Sequence, residues 1–244
     1  MADQTRPAPR LALVTGATSG IGRAVALKLA SDGFEVIVHG RDAERGATTV
    51  RAIEEAGGHA RFVAADLANA DEATHLAKEA GDVDVLVNNA GFSWFGPTAQ
   101  LDTATFDALF ASNVRSAYQL VAAIAPGMAS RGHGSIVSLD SMAGHVGLAG
   151  GAAYGATKAA LAALSRAWAA EFSPAGVRVN TVAAGPVYSD GASPDRIEQL
   201  GNTTLIGRGA RVEEIADVIA FVASDKASYL TGAVIPVDGG RTAI

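Results

Sequence analysis

The sequence predicts one α/β domain built on a doubly wound parallel sheet with helices on both faces. Three observations predict it. Short apolar runs alternate with longer helical stretches along most of the chain, the pattern of parallel strands each followed by a covering helix. The first apolar run passes directly into Thr15-Gly16-Ala17-Thr18-Ser19-Gly20-Ile21-Gly22 and then a helical stretch, which is the context a phosphate-binding loop requires. Finally, 244 residues without a linker-like tract suit a single large domain.

Taken in order, Leu11 to Val14 is uniformly apolar, as a strand covered on both faces should be. In the loop that follows, Gly16 permits a sharp turn, Gly20 a close backbone approach to a pyrophosphate, and Gly22 tight packing of helix on sheet. The helix then runs to about Ala30, and its N-terminus offers free N–H groups and partial positive charge to phosphates. Glu35 to His39 reads as the second strand, Ala43 to Ala56 as the second helix, and His59 to Ala64 as the third strand, ending at Asp66-Leu67. Val83 to Val87 is the fourth strand, followed by a long helical region from about Thr103 to Ser130. Gly134 to Leu139, a helix from Tyr154 to Glu171, and Val177 to Val182 continue the alternation. Residues 1–9 are polar and proline-containing with no apolar signal core, and are expected to form a flexible tail ahead of a domain spanning 10–244.

Composition narrows the function classes. With 49% apolar and 18% charged residues the chain is an ordinary soluble globule. A net charge of −6 gives no electrostatic reason to bind nucleic acid or an anionic membrane. No apolar run is long enough to span a bilayer. The absence of cysteine rules out disulfides, thiolate metal sites and cysteine nucleophiles. The five histidines show no ligand spacing, so no metal is expected. A cytoplasmic location fits these features.

One stretch carries the chemistry. Tyr154 and Lys158 are four residues apart, hence one turn apart on one helical face. An ammonium so placed favours ionisation of the phenol, which suits a general acid or base. There is no Gly-x-Ser-x-Gly elbow, which argues against a serine hydrolase.

With Asn88-Asn89-Ala90-Gly91, Asn113, Ser141, Asn180 and the closing Tyr229-to-Gly240 segment added to the glycine loop, Asp66-Leu67 and Tyr154-x-x-x-Lys158, the chain resembles the short-chain dehydrogenase/reductase family over nearly its whole length. The resemblance is closest to the 3-oxoacyl reductase type. It implies a Rossmann-type sheet of about seven strands and a catalytic tetrad of Asn113, Ser141, Tyr154 and Lys158. Tyr154 would protonate the carbonyl oxygen, Ser141 would hold that oxygen, and Lys158 would assist Tyr154 and bind the nicotinamide ribose. Asn113 would hold a water that links Lys158 to solvent. Two departures stand out: Asp140 precedes Ser141 where a small hydroxyl residue is common, and Ala184 replaces a common proline. Asp140 either perturbs the local hydrogen bonds or faces solvent.

The resemblance also places the dinucleotide. Gly16, Thr18, Ser19, Gly20, Ile21 and Gly22 would cradle its phosphates, and Asp66 and Leu67 would border the adenine. Asn88, Ala90 and Gly91 fall on the cofactor side of the fourth strand. Gly185, Val187 and Ser189 would meet the nicotinamide and phosphates, alongside Tyr154 and Lys158. At the tip of the second strand Gly40 stands where a ribose-binding acid would discriminate, and Arg41 follows it. A guanidinium there suits the 2′-phosphate of NADP(H). Asp42 is the counter-evidence that keeps NAD(H) open.

The substrate wall is expected to include Ser93, Trp94, Phe95, Ser141, Met142, Tyr154 and Tyr188, with His145, Val146 and Leu148 nearby. His145 either binds a polar substrate group or is simply solvated. Residues 189–209 would form the lid. The implied activity is NADP(H)-dependent reduction of a ketone, of 3-oxoacyl or polyketide type, to a secondary alcohol. An NAD(H)-dependent alcohol, sugar or steroid dehydrogenase and a non-catalytic dinucleotide sensor are the other readings. The alanine-rich helix from Tyr154 to Glu171 asks for burial beyond its own sheet, and the resemblance implies a homotetramer or homodimer.

Overall fold

β1 (Leu11–Val14) pairs in parallel with β2 (Glu35–Gly40) on one side and β4 (Val85–Asn88) on the other. The computed structural model in which this is seen describes residues 10–244, so the expected tail at residues 1–9 lies outside the described residues. β3 (His59–Ala64) flanks β2, while β5 (Gly134–Ser141), β6 (Val177–Ala184) and β9 (Val234–Val237) extend the sheet beyond β4. The resulting order is β3-β2-β1-β4-β5-β6-β9, seven strands, all parallel. The chain reverses direction across the sheet between β1 and β4, and a ligand crevice opens outside the strand ends at such a switch point.

Side-chain alternation assigns the two faces. Val14, Val36 and Val87 point toward α1 (Gly20–Ser31), α2 (Ala43–Glu55) and α8 (Val212–Ala223), packing on Val25, Leu29, Ile53, Ile215 and Ile219. Leu13, Ile37 and Leu86 point the other way, onto Leu76 of α3 (Ala70–Ala80), Leu120 and Val121 of α5 (Ser116–Arg131), and Leu161 and Trp168 of α6 (Ala152–Phe172). A strand with both faces covered has no polar side to alternate with, which is why these strands are continuous apolar runs.

The long helical region after β4 is not one regular helix. α4 (Thr103–Phe110) and α5 are joined by a π-helical turn at Ala111–Arg115. Such an insertion breaks the regular hydrogen-bond ladder, and it falls at Asn113. α3 and α8 were not evident from the sequence, and neither was α7 (Pro194–Gly201) in the lid segment. A small two-stranded sheet, β7 (Val187–Tyr188) with β8 (Ala210–Arg211), anchors both ends of that segment.

Candidate active site

The glycine loop follows β1 directly. Gly16 and Gly20 have φ of 65° and 52°, in the region that favours glycine. A Cβ on Gly22 would overlap the Gly16 carbonyl oxygen and the Asn89 side-chain amide. Ser19 is the N-cap residue of α1 but makes no side-chain cap bond, which leaves first-turn N–H groups and the Ser19 hydroxyl available to an anion. Asp190 reaches the loop from beyond β7, its carboxylate accepting the Gly20 N–H at 3.2 Å.

Of the paired asparagines at the end of β4, Asn89 does the bonding. Its Nδ2 donates to the carbonyls of Thr15 at 2.7 Å and Gly16 at 3.2 Å. Asn88, expected on the cofactor side, is buried with both side-chain polar atoms unpartnered among the described residues. Gly91 is required by contact: a Cβ there would stand 2.6 Å from Asn113 Oδ1.

The four residues of the expected tetrad come from three elements. Tyr154 and Lys158 lie on α6, Ser141 ends β5, and Asn113 is in the π turn. Lys158 is buried, donates from Nζ to the Leu139 carbonyl at 2.7 Å, and stands 5.8 Å from the Tyr154 ring centroid. The Ser141 Oγ accepts the Ala143 N–H at 3.2 Å, capping a short 3-10 turn at Met142–Gly144. The Asn113 side chain uses both of its donor hydrogens and one acceptor site. Its Oδ1 accepts the Phe92 N–H at 3.0 Å, and its Nδ2 donates to the Phe92 carbonyl at 2.9 Å and Thr157 Oγ1 at 3.0 Å. The π turn also disturbs the backbone ladder at Asn113, which frees backbone groups there for a water.

Asp140 does not face solvent. Its carboxylate is fully buried, accepts the Ser141 N–H at 2.7 Å, and meets His145 Nε2 at 2.6 Å. Burial raises its pKa, while the Ser141 N–H and His145 pull it back down. His145 is thus committed to a carboxylate rather than simply solvated.

The expected substrate wall is partly redistributed. The aromatic ring at Tyr154 is that of Phe95, with centroids 5.4 Å apart. Trp94 instead lines a cavity of about 420 Å³ with Leu101, Phe106, Ala152 and Ala156. Ala152 and Ala156 are two residues either side of Tyr154, so that cavity lies on the opposite face of α6. Met142 is buried. Tyr188 lies with Ser189 along a depression of about 350 Å³ against Gly20, Arg23 and Ala24 of α1. At the β2 tip, Asp42 accepts the N–H groups of Glu44 and Arg45 at 3.0 and 3.1 Å as the N-cap of α2, and Arg41 is exposed. Beyond β3, Asp66 Oδ1 accepts the Ala68 N–H at 3.1 Å and Leu67 is buried. Gly185 donates its N–H to Val237 at 3.0 Å, and Val187 is buried in β7. Among the described residues no cluster of His, Asp or Glu could hold a metal, and no helix is long and apolar enough to cross a membrane.

A family model described as enoyl-(acyl carrier protein) reductase matches residues 16–242. The chain belongs to the short-chain dehydrogenase/reductase family. It is an NAD(P)-dependent oxidoreductase acting on alcohol and carbonyl groups. Among relatives in this family, cis-4-hydroxycyclohexanecarboxylate dehydrogenase of Sinomonas cyclohexanicum is 39% identical over 97% of this chain and 98% of its own. A solved short-chain dehydrogenase/reductase family protein is 49% identical, with a TM-score of 0.89 over 96% of this chain and 98% of that one. A 3-oxoacyl-(acyl-carrier-protein) reductase of Agrobacterium tumefaciens C58, solved with NADP bound, is 33% identical, with a TM-score of 0.90 over 95% and 93% of the two chains.

Proposed function

We propose that this short-chain dehydrogenase/reductase uses NADP(H) to reduce a ketone to a secondary alcohol, with Tyr154 as general acid. The observation that supports the reading is that Lys158, 5.8 Å from the Tyr154 ring, bonds β5 two residues before Ser141, while Asn113 bonds Thr157 beside it on α6. The glycine cradle is tied to the same region, since Gly91 packs on Asn113 and Asn89 bonds the loop, and Ser19 leaves its hydroxyl free at the α1 N-terminus. That cradle fits a dinucleotide: Gly16, Ser19, Gly20 and Ile21 would hold the phosphates, with Asn88, Ala90 and Gly91 along one side and Val187 and Ser189 on the other.

When bound, the dinucleotide supplies the hydride. The protein's own part is proton delivery and charge stabilisation. Tyr154 donates its phenolic proton to the carbonyl oxygen as negative charge grows there, and Ser141 Oγ holds the same oxygen. The Lys158 ammonium, fixed by the Leu139 carbonyl, stabilises the phenolate left behind. Phe95, with its ring against Tyr154, keeps water from the reacting atoms on the substrate side.

NADP(H) is favoured over NAD(H) because Arg41 is exposed while the Asp42 carboxylate is used on helix α2. The relative solved with NADP points the same way. The relatives' substrates, a 3-oxoacyl carrier conjugate in one case and a hydroxycyclohexanecarboxylate in another, support a chain or ring ketone. Exposed Tyr118 on α5, beside Trp168 of α6, supports subunit pairing across these helices and assembly as a homotetramer, which light scattering would test.

The deciding experiment is turnover of NADPH and NADH with oxoacyl thioesters and cyclic ketones, comparing wild type with Tyr154→Phe. Reduction that survives this substitution would sink the mechanism. Tight dinucleotide binding without turnover of any carbonyl would favour a sensor.

A further inference from the structure

The lid carries a cation that the reaction above leaves unused. Arg196, on α7, is exposed and forms no ion pair with a carboxylate among the described residues. Its guanidinium carbon stands 3.9 Å from the centroid of the Phe95 ring. Phe95 in turn lies 5.4 Å from the Tyr154 ring, tilted by 56°. Lid, wall and general acid therefore meet in one chain of contacts. The guanidinium is no further from the tyrosine ring than those two separations laid end to end.

Stacking uses the flat face of a guanidinium and leaves its N–H edge free to grip an anion through paired hydrogen bonds. Two other cations of the site and the lid are engaged. Lys158 is buried on the Leu139 carbonyl, and Arg208 is held by both oxygens of Glu214, at 2.8 and 2.7 Å. The Phe95 ring against Tyr154 offers an anion no hydrogen-bond donor.

We propose that Arg196 is the anion receptor of the substrate site, and that the substrates are oxo acids whose ionised carboxylate is held by α7 while the ketone meets Tyr154 and Ser141. The inference rests on the ketone-reducing reading. The reaction is then oxo acid plus NADPH plus one proton to hydroxy acid plus NADP⁺. The carbonyl carbon takes the hydride and its oxygen takes the Tyr154 proton. A single guanidinium suits a carboxylate better than a doubly charged phosphate. Its closeness to Tyr154 requires the anion and the ketone to be only a few bonds apart. Binding the acid would also draw α7 over the cleft, so the same residue links recognition to closure.

The test is steady-state kinetics on matched pairs, 4-oxopentanoate and 4-oxocyclohexanecarboxylate each against its methyl ester, with dihydroxyacetone phosphate as the phosphate arm. Wild type, Arg196→Gln and Arg196→Lys are compared. The wild-type enzyme is expected to prefer acid to ester in kcat/KM. Arg196→Gln should reduce that preference at least about tenfold, mainly through the KM of the acid, and Arg196→Lys should recover part of it. Equal losses on acid and ester would reduce Arg196 to a lid fastening and overturn the proposal, as would a wild-type preference for the esters. Preference for the phosphate arm would overturn the carboxylate assignment. If wild type binds NADPH yet reduces no ketone at all, the underlying reading fails and the inference falls with it. Measurable reduction with an unchanged acid-to-ester ratio overturns Arg196 alone.

Discussion

The Nδ1 atom of His39 accepts the backbone N–H of Gly16 at 3.2 Å, so the second strand holds the first residue of the dinucleotide loop in place. The opposite nitrogen, Nε2, is 3.1 Å from the Ala65 carbonyl and must be its donor, which fixes a neutral tautomer. Burial lowers the His39 pKa to about 4, against a weaker opposing pull from the Ala65 carbonyl. A histidine with a depressed folded-state pKa stabilises fully above its unfolded value near 6.5. That contribution is lost as pH falls from there toward 4. Its ceiling is about 3 kcal/mol. Wild type should therefore lose more stability than His39→Asn between pH 7 and pH 4.5 in denaturant titrations. Parallel losses would show that the imidazole is not what titrates.

Asp140 gives the opposite sign. Its folded-state pKa is raised, chiefly by burial, so holding it ionised costs stability above that pKa and the cost fades as pH falls. What the carboxylate provides is geometry, since it joins the Ser141 N–H and His145. Asp140→Asn, which removes the charge and keeps an acceptor, should lie within about 1 kcal/mol of wild type at pH 8 and compare less well at pH 5. Asp140→Ala removes the acceptor from the part-buried Ser141 N–H and from the exposed His145 and should cost about 1 kcal/mol. Equal stability of the two variants, measured by urea unfolding, would mean these bonds contribute nothing.

Cofactor choice is tested at the tip of β2. Arg41→Ala should weaken NADPH binding far more than NADH binding, by about tenfold or more if one phosphate contact is lost. A simple exchange to an acid at position 40 should not invert the preference, because a Cβ on Gly40 would run into the Thr18 side chain. Fluorescence titration with both dinucleotides reads this directly. Equal losses at Arg41→Ala would overturn the NADP(H) assignment.

The sheet, the glycine loop and the Tyr154/Lys158 pair were legible in the sequence because each is written in local spacing: apolar runs, glycine intervals, one helical turn. The order of the motifs carried the tetrad. What stayed hidden depends on distant partners. Nothing in the run from Thr103 to Ser130 announces a π turn, since no proline or glycine marks its place at Ala111–Arg115. His145 looked solvated because only the fold curls its loop back onto Asp140. Phe95 rather than Trp94 meets Tyr154 because adjacent loop residues project in directions that pattern does not encode. Asn89 was passed over for its neighbour for the same reason: its bonds reach back to Thr15 and Gly16, more than seventy residues earlier.

A last consequence concerns α8, which starts at Val212 directly after β8 and so carries the strand that pairs with Val187 and Tyr188. The last carbonyls of a helix lack intrahelical partners. Here Arg178 of β6 supplies them from across the core. Its two terminal nitrogens donate to Val222 at 2.8 Å, Ala223 at 3.2 Å and Ser224 at 3.0 Å, with a longer bond to Leu230 at 3.4 Å. A cation at a helix C-terminus also complements its dipole. Arg178→Met keeps the aliphatic stem and deletes the donors, and should cost about 3 kcal/mol in urea unfolding. Arg178→Lys has one point donor in place of a planar fork and should recover less than half of that. Because α8 braces the β7–β8 pair beside Ser189, the dinucleotide Kd should rise in the same variants, although Arg178 stands far from the glycine loop in sequence. Loss of stability with unchanged dinucleotide affinity would show that the cap holds α8 but not the strand pair it carries.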